Sequence, residues 1–323
     1  MSRDLGTAQE LVEEAQAAIY ALAEGTEDVL PELAGVDMDK EIELALELSR
    51  GERATPGLTT GWRPVDELVG GLYPGEVTVL AARTSVGKSS FTLDLSRRIA
   101  EQGKVVLYCS LEMRRSALRH KLLSAKANVD SRAFRRTGHK IEMLQDGEML
   151  PALDRLWDAE AVLREIPLHL WDKVRVTPLD LRVRARQMKM DTGLDLVVVD
   201  YVGKLTPDTR GERHEQHAEM SRALGELAGD LEIPLIVCAQ LNRDSDRRNK
   251  ETGKMATPLL SQIRDSGRWE EDAHQVIFLQ RDVAEQGRST EIIVAKSRMG
   301  ETGTRGLSFQ YEYSRFDSTD ERF

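Results

Sequence analysis

Cysteine is nearly absent from this chain. Cys109 and Cys238 are the only two among 323 residues, each inside an apolar run, and neither has the spacing of a zinc site or a disulfide framework. Both are expected to be core residues of a protein kept in a reducing compartment. Excess positive charge is lacking too. A net charge of −10 argues against a polycation that coats nucleic acid, although a narrow channel on an acidic chain can still be basic. No stretch reaches the roughly 18 apolar residues of a membrane span, and the opening "MSRDLGTAQELVEEA" has no positive segment followed by an apolar one. The expected setting is cytoplasmic, with no membrane partner. Neither a fixed-period repeat nor a low-complexity tract occurs. What is present suffices for a globular fold: 40% of residues are apolar, and this length fills one large domain or two ordinary ones.

The first fifty residues read as an arm. Thr7 and Glu10 have capping-box spacing, and Leu11, Val12, Ala15, Ala18, Ile19 and Leu22 then form a helical stripe closed by Gly25. This predicts a helix over about 8–24. An acidic connector with Pro31 and Gly35 follows, then a second short helix over about 38–50, then "GERATPG" as a linker. The predicted boundary is an arm at 1–54 and a domain at 55–323.

From Leu58 onward apolar runs alternate with amphipathic helical segments. The clearest strands are "EVTVLAA", "KVVLYCS", "LDLVVVD", "IPLIVCAQ", "QVIFLQ" and "EIIVAKS". Continuous apolar runs mean burial on both faces, so the fold class is α/β, with a mostly parallel twisted sheet covered by helices.

In such sheets ligands bind at the carboxyl ends of the strands. "EVTVLAA" leads into "ARTSVGKSS", which lacks the leading glycine of GxxxxGK[ST]. Ala82 stands there, and matters only if that position needs a positive φ. A strand before and a helix after make this a phosphate loop. Backbone groups of Arg83, Thr84, Ser85, Val86, Gly87, Ser89 and Ser90 would cradle phosphate oxygens, Lys88 would reach the β- and γ-phosphates, and Ser89 would coordinate magnesium. "LDLVVVD" ends on Asp200, a candidate magnesium ligand; "VVLYCSL" runs into Glu112, a candidate base; "PLIVCAQ" ends on Gln240, a candidate γ-phosphate sensor. The plainer readings are a helix N-cap for Asp200, a solvated helix-start glutamate for Glu112 and a strand-end amide for Gln240.

"TGWRPVDELVGGLYPGE", "ARTSVGKSS", "YCSLEM", "VVVDYVGKL", "AQLNRDSDRR", "LLSQIRDSGRWEEDA" and "AKSRMGETG" occur in the order and spacing of one family. Residues 55–323 resemble the C-terminal motor domain of DnaB-type replicative helicases, in which the phosphate loop commonly starts with alanine. "GTAQELVEEAQAAIYALAE" resembles that family's linker helix. The resemblance implies a RecA-like P-loop ATPase assembled as a homo-hexameric ring around single-stranded DNA, with ATP and Mg2+ between subunits and a helicase loader as a possible partner. It implies unwinding in the 5′ to 3′ direction during DNA replication, in a bacterial or phage-encoded protein. It also implies that Glu112 acts as general base, that Gln240 couples nucleotide to DNA, and that Arg298, with Lys296 beside it, enters the neighbour's site as an arginine finger. Arg264, Asp265 and Gly267 match the DNA-binding loop, and Arg243 lies in a basic stretch that either lines the same channel or, interleaved with Asp244, Asp246 and Glu251, is a solvated loop.

Several positions depart from the family. Gly203 stands where glutamine is frequent, Asp265 where glutamate is common, and Met299 where asparagine is common. The helical domain that precedes the linker in full-length relatives, where it forms a collar and contacts primase, is not in this sequence, so primase as a partner stays open. The arm is expected to dock on a neighbouring subunit or else on its own domain. Two other function classes fit the motifs: a RecA-like recombinase or regulatory ATPase that binds without unwinding, and an interaction module that binds ATP and partners without translocating.

Overall fold

A computed structural model describes residues 33–50, 57–134, 149–208, 211–242, 255–264, 267–282 and 288–319. The helix expected over 8–24, and Arg243 and Asp265, lie outside the described residues. The chain divides into two compact units, residues 1–54 and 55–323. In the first, helix α1 spans Met38–Ser49 and buries none of its residues. No helix among the described residues is long and apolar enough to cross a membrane.

The second unit is built on one nine-stranded sheet, ordered β3-β2-β4-β5-β1-β6-β7-β8-β9. Six strands run parallel: β1 (Val77–Ala82), β2 (Val106–Ser110), β3 (Leu168–Trp171), β4 (Leu196–Asp200), β5 (Leu235–Gln240) and β6 (Gln275–Gln280). They include five of the six strands read from apolar runs. The sixth run lies in β7 (Ser289–Ser297), which turns back antiparallel to β6, followed by β8 (Gly303–Gln310) and β9 (Arg315–Ser318).

Two apolar layers explain why the parallel strands are continuous apolar runs rather than alternating ones. Val79, Ala81, Cys109, Val197, Val199 and Val237 face one layer, where Leu181 and Ala185 of α6 (Pro178–Asp191) and Leu224 and Leu227 of α7 (Arg213–Asp230) cover them. Leu80, Ala82, Tyr108, Val198, Ile236 and Cys238 face the other, covered by α2 (Arg63–Val69), α3 (Lys88–Glu101) and α4 (Arg115–Ala127). Burial pushes the Cys109 thiol up to about 12 and raises that of Cys238 as well, so both cysteines are inert core groups.

The segment "TGWRPVDELVGG" fastens α2 to this layer. Trp62 stacks on Phe91 with ring centroids 5.0 Å apart, and its indole N–H donates to the Phe316 carbonyl at 2.9 Å. The last two helices are α5 (Met149–Glu165) and the short α8 (Gly267–Asp272).

Candidate active site

The loop after β1 turns directly into α3. Ala82 is the last residue of β1, paired with Gln240 on one side and Leu279 on the other. It is fully buried and extended, so no glycine is required there. The positive φ falls instead on Gly87, at 115°, which is the N-cap of α3. A Cβ at Gly87 would also lie 3.2 Å from the Phe309 ring, so both backbone and space call for glycine. Ser85 takes a φ of 66°, sparsely populated for a residue with a side chain. The Arg281 guanidinium holds this stretch, donating to the carbonyls of Ser85 and Val86 at 3.1 Å each.

The loop borders a pocket of about 660 Å³ whose walls bring Lys88, Ser89, Ser90, Glu112 and Gln240 together, with Arg83, Thr84, Ser85 and Gly87 along the loop itself. Val86 belongs to this stretch through its backbone alone. Its side chain is buried in the core rather than in the pocket wall, because the turn that exposes its neighbours points it inward; its carbonyl is what Arg281 binds. Glu112 is exposed and lies two residues past β2, whose neighbour in the sheet is β4.

Asp200 closes β4 and is completely buried beneath the pocket. Its Oδ1 accepts from Lys88 Nζ at 3.2 Å and its Oδ2 from the Tyr108 hydroxyl at 2.9 Å. Lys88 Nζ also lies 4.6 Å from the centroid of the Tyr201 ring. Burying a carboxylate is costly unless partners of this kind hydrogen-bond to it.

Two cations at this pocket have no sequence signature. Lys121 of α4 donates to Ser90 Oγ at 2.8 Å and to Ser314 Oγ at 3.3 Å, and Arg281, besides holding the loop, also lines the cavity. Burial lowers the affinity of Arg281 for its proton. A position inside an ordinary helix, and a strand end in a run read as plain core, offered no pattern to find.

The remaining residues lie elsewhere. Gln240 is linked to the DNA-loop candidates through the backbone: Arg264 N–H donates to the Gln240 carbonyl at 2.7 Å, and Leu241 bridges Ile263. The Arg83 guanidinium donates to the Leu241 carbonyl at 3.1 Å, so the phosphate loop touches the same connection. Arg264 is exposed, and Gly267 opens α8.

Lys296 and Arg298 are at the opposite edge of the sheet. Because β7 is antiparallel, Lys296 pairs with Val276 near the start of β6, three residues before the Leu279 that pairs with Ala82, or about 10 Å back along the strand from the phosphate-loop edge at ~3.3 Å per residue. Lys296 Nζ donates to the carbonyls of Glu270 at 2.6 Å and Glu271 at 3.0 Å. Arg298 donates to those of Glu271 at 3.2 Å and Asp272 at 3.3 Å. Both cations thus sit on the C-terminal carbonyls of α8, where the helix end attracts positive charge. Burial and then the Arg298 charge lower the Lys296 ammonium from its usual range.

Known proteins agree with this architecture. The model of the DnaB-like helicase C-terminal domain matches residues 57–318. The replicative DNA helicase DnaB of Leifsonia xyli subsp. xyli is 35% identical over 96% of this chain and 66% of its own length. That of Geobacillus stearothermophilus is 33% identical over 83% of this chain and 58% of its own. The chain therefore spans less than two thirds of the length of these relatives. Among solved structures, one ATPase domain superposes with a TM-score of 0.77 at 25% identity, covering 89% of this chain and all of that one. A match over residues 57–318, joined to a RecA-like sheet with the phosphate loop at its carboxyl edge, makes this chain a member of the DnaB-like helicase C-terminal domain family.

Proposed function

We propose that this chain is the motor of a ring-shaped replicative helicase, which hydrolyses ATP between adjacent copies and uses it to move 5′ to 3′ along single-stranded DNA and part a duplex. The observation that carries this reading is the division of the chemistry between two sheet edges. Lys88, Ser89, Glu112, Asp200 and Gln240 converge on one, while Lys296 and Arg298 occupy the other and cannot reach that pocket within the same chain.

Lys88 leaves Asp200 to bind the β- and γ-phosphates, with loop N–H groups at the α3 N-terminus completing the cradle. Lys121 and Arg281 add positive charge on the pocket walls. Glu112 takes a proton from the attacking water, and Gln240 orients that water or the γ-phosphate. The oxygens of Ser89 and Asp200 fit Mg2+, which takes one or two carboxylates together with substrate phosphates; when bound, the ion neutralises charge on the transferred phosphoryl group. A neighbour's Arg298 and Lys296 supply the cations that this pocket lacks on its open side. A contact between unlike edges repeats from copy to copy, and a rotation that closes makes it a ring.

Movement on DNA is read from the Gln240 carbonyl contact with Arg264. A change at the γ-phosphate sensor reaches the DNA-loop candidates Arg264, Asp265 and Gly267 through one backbone hydrogen bond, with Arg243 following Gln240 along the chain. If each of six subunits neutralises one phosphate, affinity falls by about four log units per decade of salt. The bacterial relatives support a cytoplasmic setting.

A strand-displacement assay on forked DNA tests the reading. The wild-type chain is expected to displace a strand with ATP, and Lys88→Ala to lose both displacement and hydrolysis. Hydrolysis and single-strand binding without displacement by the wild type would contradict it in favour of a recombinase or regulatory ATPase.

A further inference from the structure

Asp200 is held from two sides, and only one of them faces the pocket. Oδ1 meets Lys88. Oδ2 meets Tyr108, a residue in the middle of β2 that is fully buried among aliphatic neighbours. The Tyr108 hydroxyl also lies 3.0 Å from Thr92 Oγ1 of α3, which is itself 3.2 Å from the Lys88 carbonyl. The protons in this chain can be assigned. A carboxylate only accepts, so the tyrosine O–H points at Asp200, and the threonine O–H serves the Tyr108 oxygen or the Lys88 carbonyl.

The consequence lies in how a carboxylate rotates. The terminal torsion of an aspartate is broad and roughly two-fold, so an unanchored group offers either oxygen in many orientations. A hydrogen bond to a charged acceptor is about twice as strong as one between neutral groups, and this one is closed off from water. It holds Oδ2 on Tyr108 and leaves Oδ1 on Lys88, which lines the pocket.

We propose that Tyr108, backed by Thr92, is a positioning residue that fixes Asp200 so that one carboxylate oxygen, held by Lys88 without nucleotide, is offered to Mg2+ once Lys88 has moved to the phosphates. The inference rests on the reading of the pocket as a magnesium-ATP site. Partners of this kind, which touch the ligand and not the metal, change metal affinity by about 10- to 100-fold when removed.

The test is Tyr108→Phe in the full chain, which keeps the ring and removes one hydroxyl. Binding of a fluorescent ATP analogue is measured as Mg2+ is titrated, and again in EDTA. The half-saturating Mg2+ concentration is expected to rise about 10-fold, with the EDTA affinity altered less than about twofold. Asp200→Asn is the control and should remove the gain that Mg2+ gives. If Asp200→Asn leaves that gain intact, the magnesium-ATP reading itself fails. If it removes the gain while Tyr108→Phe matches wild type, or loses affinity equally with and without Mg2+, the tyrosine inference alone is overturned. Should Tyr108→Phe not fold, Thr92→Val takes its place, with a rise of about threefold expected from the shortened network and no rise counting against the inference.

Discussion

At the carboxyl edge of the sheet, Lys88 lines a 660 Å³ pocket and donates to the buried carboxylate of Asp200. At the amino edge, Lys296 and Arg298 stand on a hairpin whose residue Met299 is 88% exposed, and they bind the C-terminal carbonyls of α8. The first edge has a cavity, an acceptor and a candidate base; the second has cations and projects outward. Convergence within one chain builds a pocket, whereas the function proposed above completes the catalytic site with the second edge of another copy.

The largest effects should come from the second edge. Arg298→Ala is expected to lower ATP hydrolysis by about 10³- to 10⁵-fold while nucleotide still binds the isolated pocket; a loss of binding equal to the loss of rate would make Arg298 part of its own chain's site. Glu112→Gln breaks the first edge without touching the second. Hydrolysis should fall by about 10²- to 10⁴-fold, with ATP affinity and oligomer mass kept; near-normal turnover would return Glu112 to the status of a solvated helix-start residue. The smallest effect belongs to Gly203. A Cβ there would lie 2.7 Å from the Tyr201 ring, whose face meets Lys88 at 4.6 Å. Gly203→Gln, the residue frequent in relatives, should displace that ring and weaken ATP binding by about two- to fivefold, the worth of an exposed cation–π contact. Unchanged equilibrium binding would show that the contact contributes nothing.

The same contrast separates what was readable in the sequence from what was not. The parallel strands were legible because burial on both faces leaves no polar alternation, and the loop was legible because Gly87 and Lys88 must be adjacent to serve an α-helix start. Ala82 ceases to be an anomaly once it is seen as the last extended residue of β1. By contrast β8 and β9 carry mixed, half-exposed patterns that resemble loops, and β3 is only four residues long. Lys121 and Arg281 were hidden for another reason: each reaches the pocket through tertiary folding, from a helix and from the residue just past β6, where the local sequence carries no phosphate-binding pattern. Tyr108 was read as one more apolar residue of its run, since nothing local reveals that its hydroxyl ends on Asp200. The assignment of Lys296 and Arg298 to a neighbour's site came from family resemblance, because the strand itself reads as a solvated hairpin.

Mixing two inactive chains tests the shared site most directly. Lys88→Ala and Arg298→Ala are combined in equal amounts, exchanged into common rings whose mixed composition is verified by native mass spectrometry, and assayed for ATP hydrolysis. A contact between unlike edges makes roughly a quarter of interfaces whole again in a random ring, so hydrolysis should return to about that fraction of wild type. Mixed rings that stay as inactive as either variant alone would contradict the account.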